Sequence, residues 1–320
     1  AFVNLTGPAG ADGANGTDGL DGVNGTDGAA GQDVNESYVA ELEARITTLE
    51  AELVNDTTCQ LGPWAYCAGV DLSGMDLSGM NLTGIDLRRA NLQNASFDNA
   101  TLDYADMGRI VAFNATFRDA SLNYTYLQNA EFNHCWWTAE GGDCGSTNLT
   151  NAYLDDADLT NAYLRSTDLT DANLRGADLT SADLNYADLT GAYLTFADLT
   201  NALLFQAFLT GADLRYADLI DADLREADLS GAMLWGADLT DANLRYVDLT
   251  SANLYGADLT NADLRSADLT NADLRSADLT NADLQHADFT GATVTSATFT
   301  GTTWYQTVWT DGVAYDTNQA

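Results

Sequence analysis

Lysine is missing from this chain: all 12 basic residues are arginine, they face 48 acidic ones, and the formal charge is −36. That absence excludes a general nucleic-acid or anionic-membrane binder, which needs a basic footprint to displace counterions. It points to a halophilic or marine medium, since at about 1 M salt the screening length falls to about 3 Å. Histidine is nearly absent too, and His134 and His286 are too few for a histidine metal centre. No Gly-rich phosphate loop and no nucleophile elbow occurs. Carboxylates are abundant, but none stands apart from the repeated pattern described below, and general acid–base work needs a pair set in different environments. The expectation is a protein with no catalytic site, no cofactor and no specific metal site, with at most loosely bound Ca²⁺ on its carboxylates.

Cysteine is scarce, and its placement is informative. Cys59, Cys67, Cys135 and Cys144 fall as two close pairs. Short loops favour the sequential pairing, Cys59–Cys67 and Cys135–Cys144, among the three possible, and an oxidising compartment. Asn-x-Ser/Thr sequons begin at Asn4, Asn15, Asn24, Asn35, Asn55, Asn81, Asn94, Asn99, Asn114, Asn123 and Asn148. With the cysteines they lean towards a glycoprotein that is secreted or held at a cell or virion surface. No signal peptide or membrane span is visible, and Ala1 is not Met, so the chain reads as processed or cut from a longer product.

Glycine recurs strictly every third residue from Gly7 through Gly10, Gly13, Gly16, Gly19, Gly22, Gly25 and Gly28 to Gly31. Only a triple helix demands that spacing, because only Gly fits its crowded axis. Residues 1–33 therefore resemble the collagen-like stalks of microbial and viral surface proteins. The alternative is a flexible Gly-rich linker, since Pro8 is the one proline there and five aspartates have no basic partner. Over 34–57, Val39, Leu42, Ile46, Leu49 and Leu53 alternate spacings of three and four, the seam of a short coiled coil. Its β-branched positions favour two strands, but a collagen neighbour requires three, so a homotrimer through residues 7–53 is expected. Residues 58–69 read as a disulfide-closed cap.

From Val70 the chain is one internal repeat of five, A-(D/N)-L-x-x, first clear in VDLSG, MDLSG, MNLTG, IDLRR and ANLQN. The small residue and the Leu, two apart, share a face in extended structure, and the Asp or Asn between them points the other way. This pattern resembles the pentapeptide-repeat family over about three quarters of the chain. The resemblance implies a right-handed quadrilateral parallel β-helix, an all-β fold with four units per coil. The small residue falls at 70, 75, 80 and onward to Cys135, then at 147, 152 and onward. The expected division is β-helix over 70–137, a bulge loop at 138–146 covered by His134, Trp136 and Trp137, and β-helix with a C-terminal cap near Trp304 and Trp309 over 147–320. About 12 coils would make a rod about 55 Å long.

A second period of ten, NADLRSADLT at 261–270 and 271–280, predicts that like stacks on like. Asp158, Asp178, Asp198, Asp218, Asp238, Asp258 and Asp278 form one outward ladder. Asp168, Asp188, Asp228, Asp248, Asp268 and Asp288 form most of the opposite one. Phe196, Leu203, Phe205, Phe208 and Tyr216 point outward as a candidate interaction patch for a surface receptor or neighbouring fibre subunits. Trp235 is expected to stack against Arg215 and Tyr255. The functional expectation is an extracellular structural or fibre protein for display or adhesion. Two other classes stand beside it. The resemblance implies a cytoplasmic DNA mimic acting on topoisomerases, and regular D-L-T faces suit ice binding.

Overall fold

The computed structural model of the chain describes residues 59–132 and 147–315. The expected collagen-like stalk and coiled-coil helix, the sequons from Asn4 to Asn55, the expected Cys135–Cys144 pairing, His134, Trp136 and Trp137 lie outside these residues. The described part belongs to one compact unit, Val54–Ala320.

One unit shows how the sequence makes the fold. In Ala157–Asn161, Ala157 and Leu159 are buried and Asp158 faces out. Leu159 N–H donates to Asp178 C=O at 2.7 Å, Asp178 N–H donates back to Ala157 C=O at 2.9 Å, and Asn161 N–H donates to Thr180 C=O at 3.0 Å. Each unit repeats these bonds to the coil above, so the backbone around the bore is satisfied without any long strand. The corner is a tight turn, closed by Ala162 N–H to Leu159 C=O at 2.9 Å. Its third residue, Asn161, has φ 56°, as a type II turn requires. That requirement explains why Asn and Gly crowd this position.

Four parallel ladders follow. Face A runs from Tyr66 through Asp86 and Asp158 to Thr298, face B from Asp71 to Thr303, face C from Asp76 to Val308 and face D from Asn81 to Thr293. Along each, partners are 20 residues apart everywhere but at one break, so four units make a coil. The bore is Ala and Leu over most of its length, with Phe97 stacked on Phe117 (centroids 4.9 Å apart) inside the N-terminal part. Burial of two apolar side chains per unit, each leucine worth roughly 1.5–3 kcal/mol against exposure, supplies the driving force.

Two expected boundaries move. The helix starts inside the predicted cap: Tyr66 pairs with Asp86, Trp64 N–H donates to Thr83 C=O, and Cys67 is 3 % exposed in the bore. A disulfide joins Cys67 to Cys59, Cα–Cα 5.2 Å. Cys67 thus fills the apolar position of an A-Y-C unit, which its cysteine disguises in the sequence. The break is also longer than the nine residues of 138–146. Thr116 pairs with Asn148 and Glu131 with Tyr163, a separation of 32 in place of 20, so twelve residues are inserted. The ladder position that follows Glu131 belongs to Asn148, not to the unit expected at Cys135. Thr147, buried, lies with its hydroxyl 2.7 Å from Ala112 C=O and 2.6 Å from Phe132 C=O and closes the seam.

At the C-terminal end the leucines give way to larger groups. Phe289, Phe299, Trp304 and Trp309 pack with ring centroids 5.0–6.2 Å apart and close the bore. A hairpin of β1 (Thr307–Val308) and β2 (Ala314–Tyr315) lies beside them. Among the described residues there is no helix.

Candidate functional surfaces

The faces of the rod differ in how they treat the same carboxylate. On every face the Asp takes the backbone N–H two residues on, as in Thr180 N–H to Asp178 Oδ1 at 2.9 Å and Arg225 N–H to Asp223 Oδ1 at 3.3 Å. This local turn is the structural reason for Asp or Asn at that place. What differs is the next side chain. On faces B and D it is often Arg, which forks back onto its own Asp. Arg215 holds Asp213 with Nε–Oδ1 2.7 Å and Nη2–Oδ2 2.6 Å, Arg275 holds Asp273 at 2.8 and 2.6 Å, and Arg225 and Arg265 do the same to Asp223 and Asp263. The hydrogen bond from Arg275 draws the Asp273 carboxyl below its ordinary value, against a smaller opposing effect of burial.

On faces A and C from Asn148 onward the side chain is Thr or Ser, Ile220 excepted, and it brings no charge, whereas before the break Arg88 forks onto Asp86 on face A as the arginines do on B and D. Asp158 to Asp278 pair in one unbroken ladder on face A, as do Asp168–Asp188 and Asp228–Asp288 on face C, where Phe208 separates the two runs. Among the described residues none of these ladder aspartates has an Arg within ion-pair distance. Asp218 lacks the turn bond: Ile220 stands where Thr would, and its N–H makes no hydrogen bond to the Asp218 carboxylate. Burial, then Asp198 and Asp238 on the neighbouring coils, pushes its carboxyl above the ordinary value.

The five residues expected as one apolar patch separate. Leu203 and Phe208 are exposed on the adjacent faces B and C, with Phe205 half-buried at the corner between them, edge-on to Tyr186 and under Arg225. Phe196 and Tyr216 stack on each other at 5.2 Å on the diagonally opposite corner, between D and A. Which corner a residue occupies depends on the coil count, and that is invisible in the five-residue phase alone. Trp235 likewise departs from expectation. Arg215 is taken by Asp213, so Trp235 packs on Tyr216 (5.3 Å) and Tyr255 (6.2 Å). The cation–π contacts among the described residues are Arg165 over Tyr186 (4.6 Å), Arg225 over Phe205 (5.5 Å), Arg245 over Tyr246 (5.9 Å) and Arg275 over Tyr255 (5.6 Å).

At the D/A corner two clefts, about 470 and 990 Å³, share Arg175 and Phe196. Of the sequons, Asn94, Asn99 and Asn114 sit exposed at corners. Asn123 and Asn148 are part-buried and spend their amides on neighbouring groups of the rod's outer surface, Asn123 on Ser121 and Asp155 N–H, Asn148 on Asp168 and Thr150 N–H. Asn81 is exposed, with its carbonyl on Thr83. Among the described residues no cluster of His, Cys, Asp and Glu could hold a metal ion.

A family model described as pentapeptide repeats matches residues 65–107 and, in overlapping copies, 143–301. HetL, a pentapeptide repeat protein involved in heterocyst differentiation regulation in the cyanobacterium Nostoc, is 33 % identical, over 72 % of this chain and 92 % of that one, with a TM-score of 0.41. The chain belongs to the pentapeptide-repeat family. A pentapeptide repeat protein of the Arabidopsis thaliana thylakoid lumen is 37 % identical over 35 % of this chain and 68 % of its own, with a TM-score of 0.23. QnrB1, a plasmid-mediated fluoroquinolone resistance protein, is 17 % identical over 72 % of this chain and 92 % of its own, with a TM-score of 0.24. No curated protein matches the chain by sequence. A shared fold does not assign a role, so the function of this rod has to be argued from its own surfaces.

Proposed function

We propose that this protein is a non-catalytic, surface-displayed rod that spaces or presents a binding surface outside the cell. The observation that carries this is the Cys59–Cys67 bridge at the first coil, since structural disulfides persist in oxidising compartments. The Gly triplets of residues 7–33 and the heptad seam Val39–Leu53 support it from the sequence, because both have use only in an assembly of chains. Immunogold labelling of intact, unpermeabilised source cells tests the location: gold on the surface is expected, and label only after permeabilisation would end this reading. Light scattering in high salt tests the assembly. The full chain should be a trimer and a truncation beginning at Thr58 should not.

A second reading, a cytoplasmic mimic of duplex charge, is favoured by one observation, the unpaired Asp ladder of face A. The state of the cysteines in protein taken from its source separates the two. Oxidised Cys59 and Cys67 fit display, and free thiols fit the mimic.

A further inference from the structure

We propose that the cleft between Tyr124 and Phe196, at the corner of faces D and A, binds a neutral oligosaccharide. This rests on the display reading and gives it a receptor chemistry.

Tyr104, Tyr124 and Phe196 line the cleft, and Tyr216 backs Phe196 in the same column. Tyr104 lies flat on Tyr124 (5.1 Å, 6° between planes) and Phe196 lies flat on Tyr216 (5.2 Å, 5°). Each pair joins successive coils, so each stack runs along the rod. Tyr124 and Phe196 bound the opening at its two ends, and across the two coils between them the column carries Asp156 and Gly176. At the strand spacing that opening is about 14 Å from ring to ring. Gly176 has no side chain, and a Cβ there would come within 2.4 Å of Asp156 Oδ1, so the gap is floored by backbone and a carboxylate.

The rings hold their place at a cost. All four sit at the corner position with φ of 58–63°, where most units place Asn, Gly, Asp or Ser. Positive φ is unusual for a bulky residue, and such strain persists where an arrangement has use. It points the rings outward and leaves Tyr104, Phe196 and Tyr216 at 53, 54 and 43 % exposure.

The polar groups of the cleft decide the ligand class. Asp155 and Asp156 offer carboxylate oxygens, and exposed Arg175, without an ion-pair partner among the described residues, offers guanidinium donors. Hydroxyl groups use both kinds, and charge-assisted bonds of this type are the strong ones. A sugar ring adds an apolar face for Tyr124 and Phe196. An anionic ligand meets the wrong field: Asp156 pushes the Tyr124 phenol above its ordinary value. A wholly apolar ligand would leave Asp155, Asp156 and Arg175 desolvated and unpaired. The volume, about 470 Å³, lies within the usual range of about 300–1,000 Å³ for ligand sites.

The test is calorimetric titration of the full chain in high salt with cellohexaose, mannohexaose and maltohexaose, with spermine as the cationic control. At least one hexasaccharide should bind, and Phe196→Ala and Tyr124→Ala should each weaken it about tenfold. Tyr246→Ala removes a ring from the same turn position on another corner and should leave the affinity unchanged, which controls for any effect on the corner itself. Three results overturn the proposal: no binding of any of the three sugars, binding of spermine in their place, or equal loss from all three variants. Location by immunogold is read independently, so a failed titration and a failed display reading are told apart.

Discussion

Faces A and C and faces B and D share one backbone, one turn and one carboxylate, yet they meet the same charge differently. On B and D, Asp213, Asp223, Asp263 and Asp273 each hold an Arg from two residues on. On A and C beyond the break, Asp178, Asp198 and Asp238 accept the backbone N–H of a Thr two residues on, and Asp158, Asp278 and Asp288 add that Thr's hydroxyl, none of which brings a charge. The fold asks for an acceptor at that position and is indifferent to whether the charge is paired. The surface is therefore independent of the bore, and two opposite sides of the rod carry columns of carboxylate about 4.8 Å apart whose repulsion is left to the solvent.

The largest effect separates bore from surface. Leu264 is fully buried, and Leu264→Ala should cost about 2–5 kcal/mol, as for other buried leucines. Arg265→Ala, one residue on, removes a half-exposed surface pair with Asp263 and should cost less than about 1 kcal/mol. Unfolding midpoints read both, and similar costs would break the assignment of the two positions.

Next in size is the contrast between faces. In low salt, Asp273→Asn on face D should lower the melting temperature by losing the fork from Arg275, whereas Asp218→Asn on face A should raise it by relieving Asp198 and Asp238. The two substitutions change charge identically, so opposite signs isolate the pairing. A smaller effect is expected with pH. The Asp218 carboxyl is raised above its ordinary 3.8, so its contribution favours acid and is lost as pH rises through the folded value. The Asp273 carboxyl is lowered, so its contribution is complete above 3.8 and lost as pH falls through the folded value. Mild acidification in low salt should thus stabilise the rod before stronger acid destabilises it. Thermal scans of the wild type and the Asp218→Asn variant check this, since the variant should show less of the initial rise.

Much of this architecture is legible in the sequence because the bore tolerates almost nothing but a small residue and a Leu two apart. The register of Asp158 through Asp278 follows from that period and the coil of four units. What escapes a reading of the sequence depends on the corners. Phe196 and Tyr216 stand one place later in their units than Phe205, and on a different face, so they look away from Leu203 and Phe208. The length of the break also escapes, because residues 135–139 keep the phase of the repeat although the ladder passes from Glu131 to Asn148. The first coil is hidden for a related reason, since Cys67 serves as both bore residue and disulfide partner.

The most direct test is the melting temperature of the full chain followed from dilute buffer to about 1 M NaCl, where screening shrinks to about 3 Å. Ladders left unpaired on faces A and C predict a steady rise with salt, reduced in the Asp218→Asn variant and undiminished in Asp273→Asn. A melting temperature that stays flat across that range in the wild type would contradict the account, because it would mean that the carboxylates of Asp158 to Asp278 do not repel one another in the folded rod.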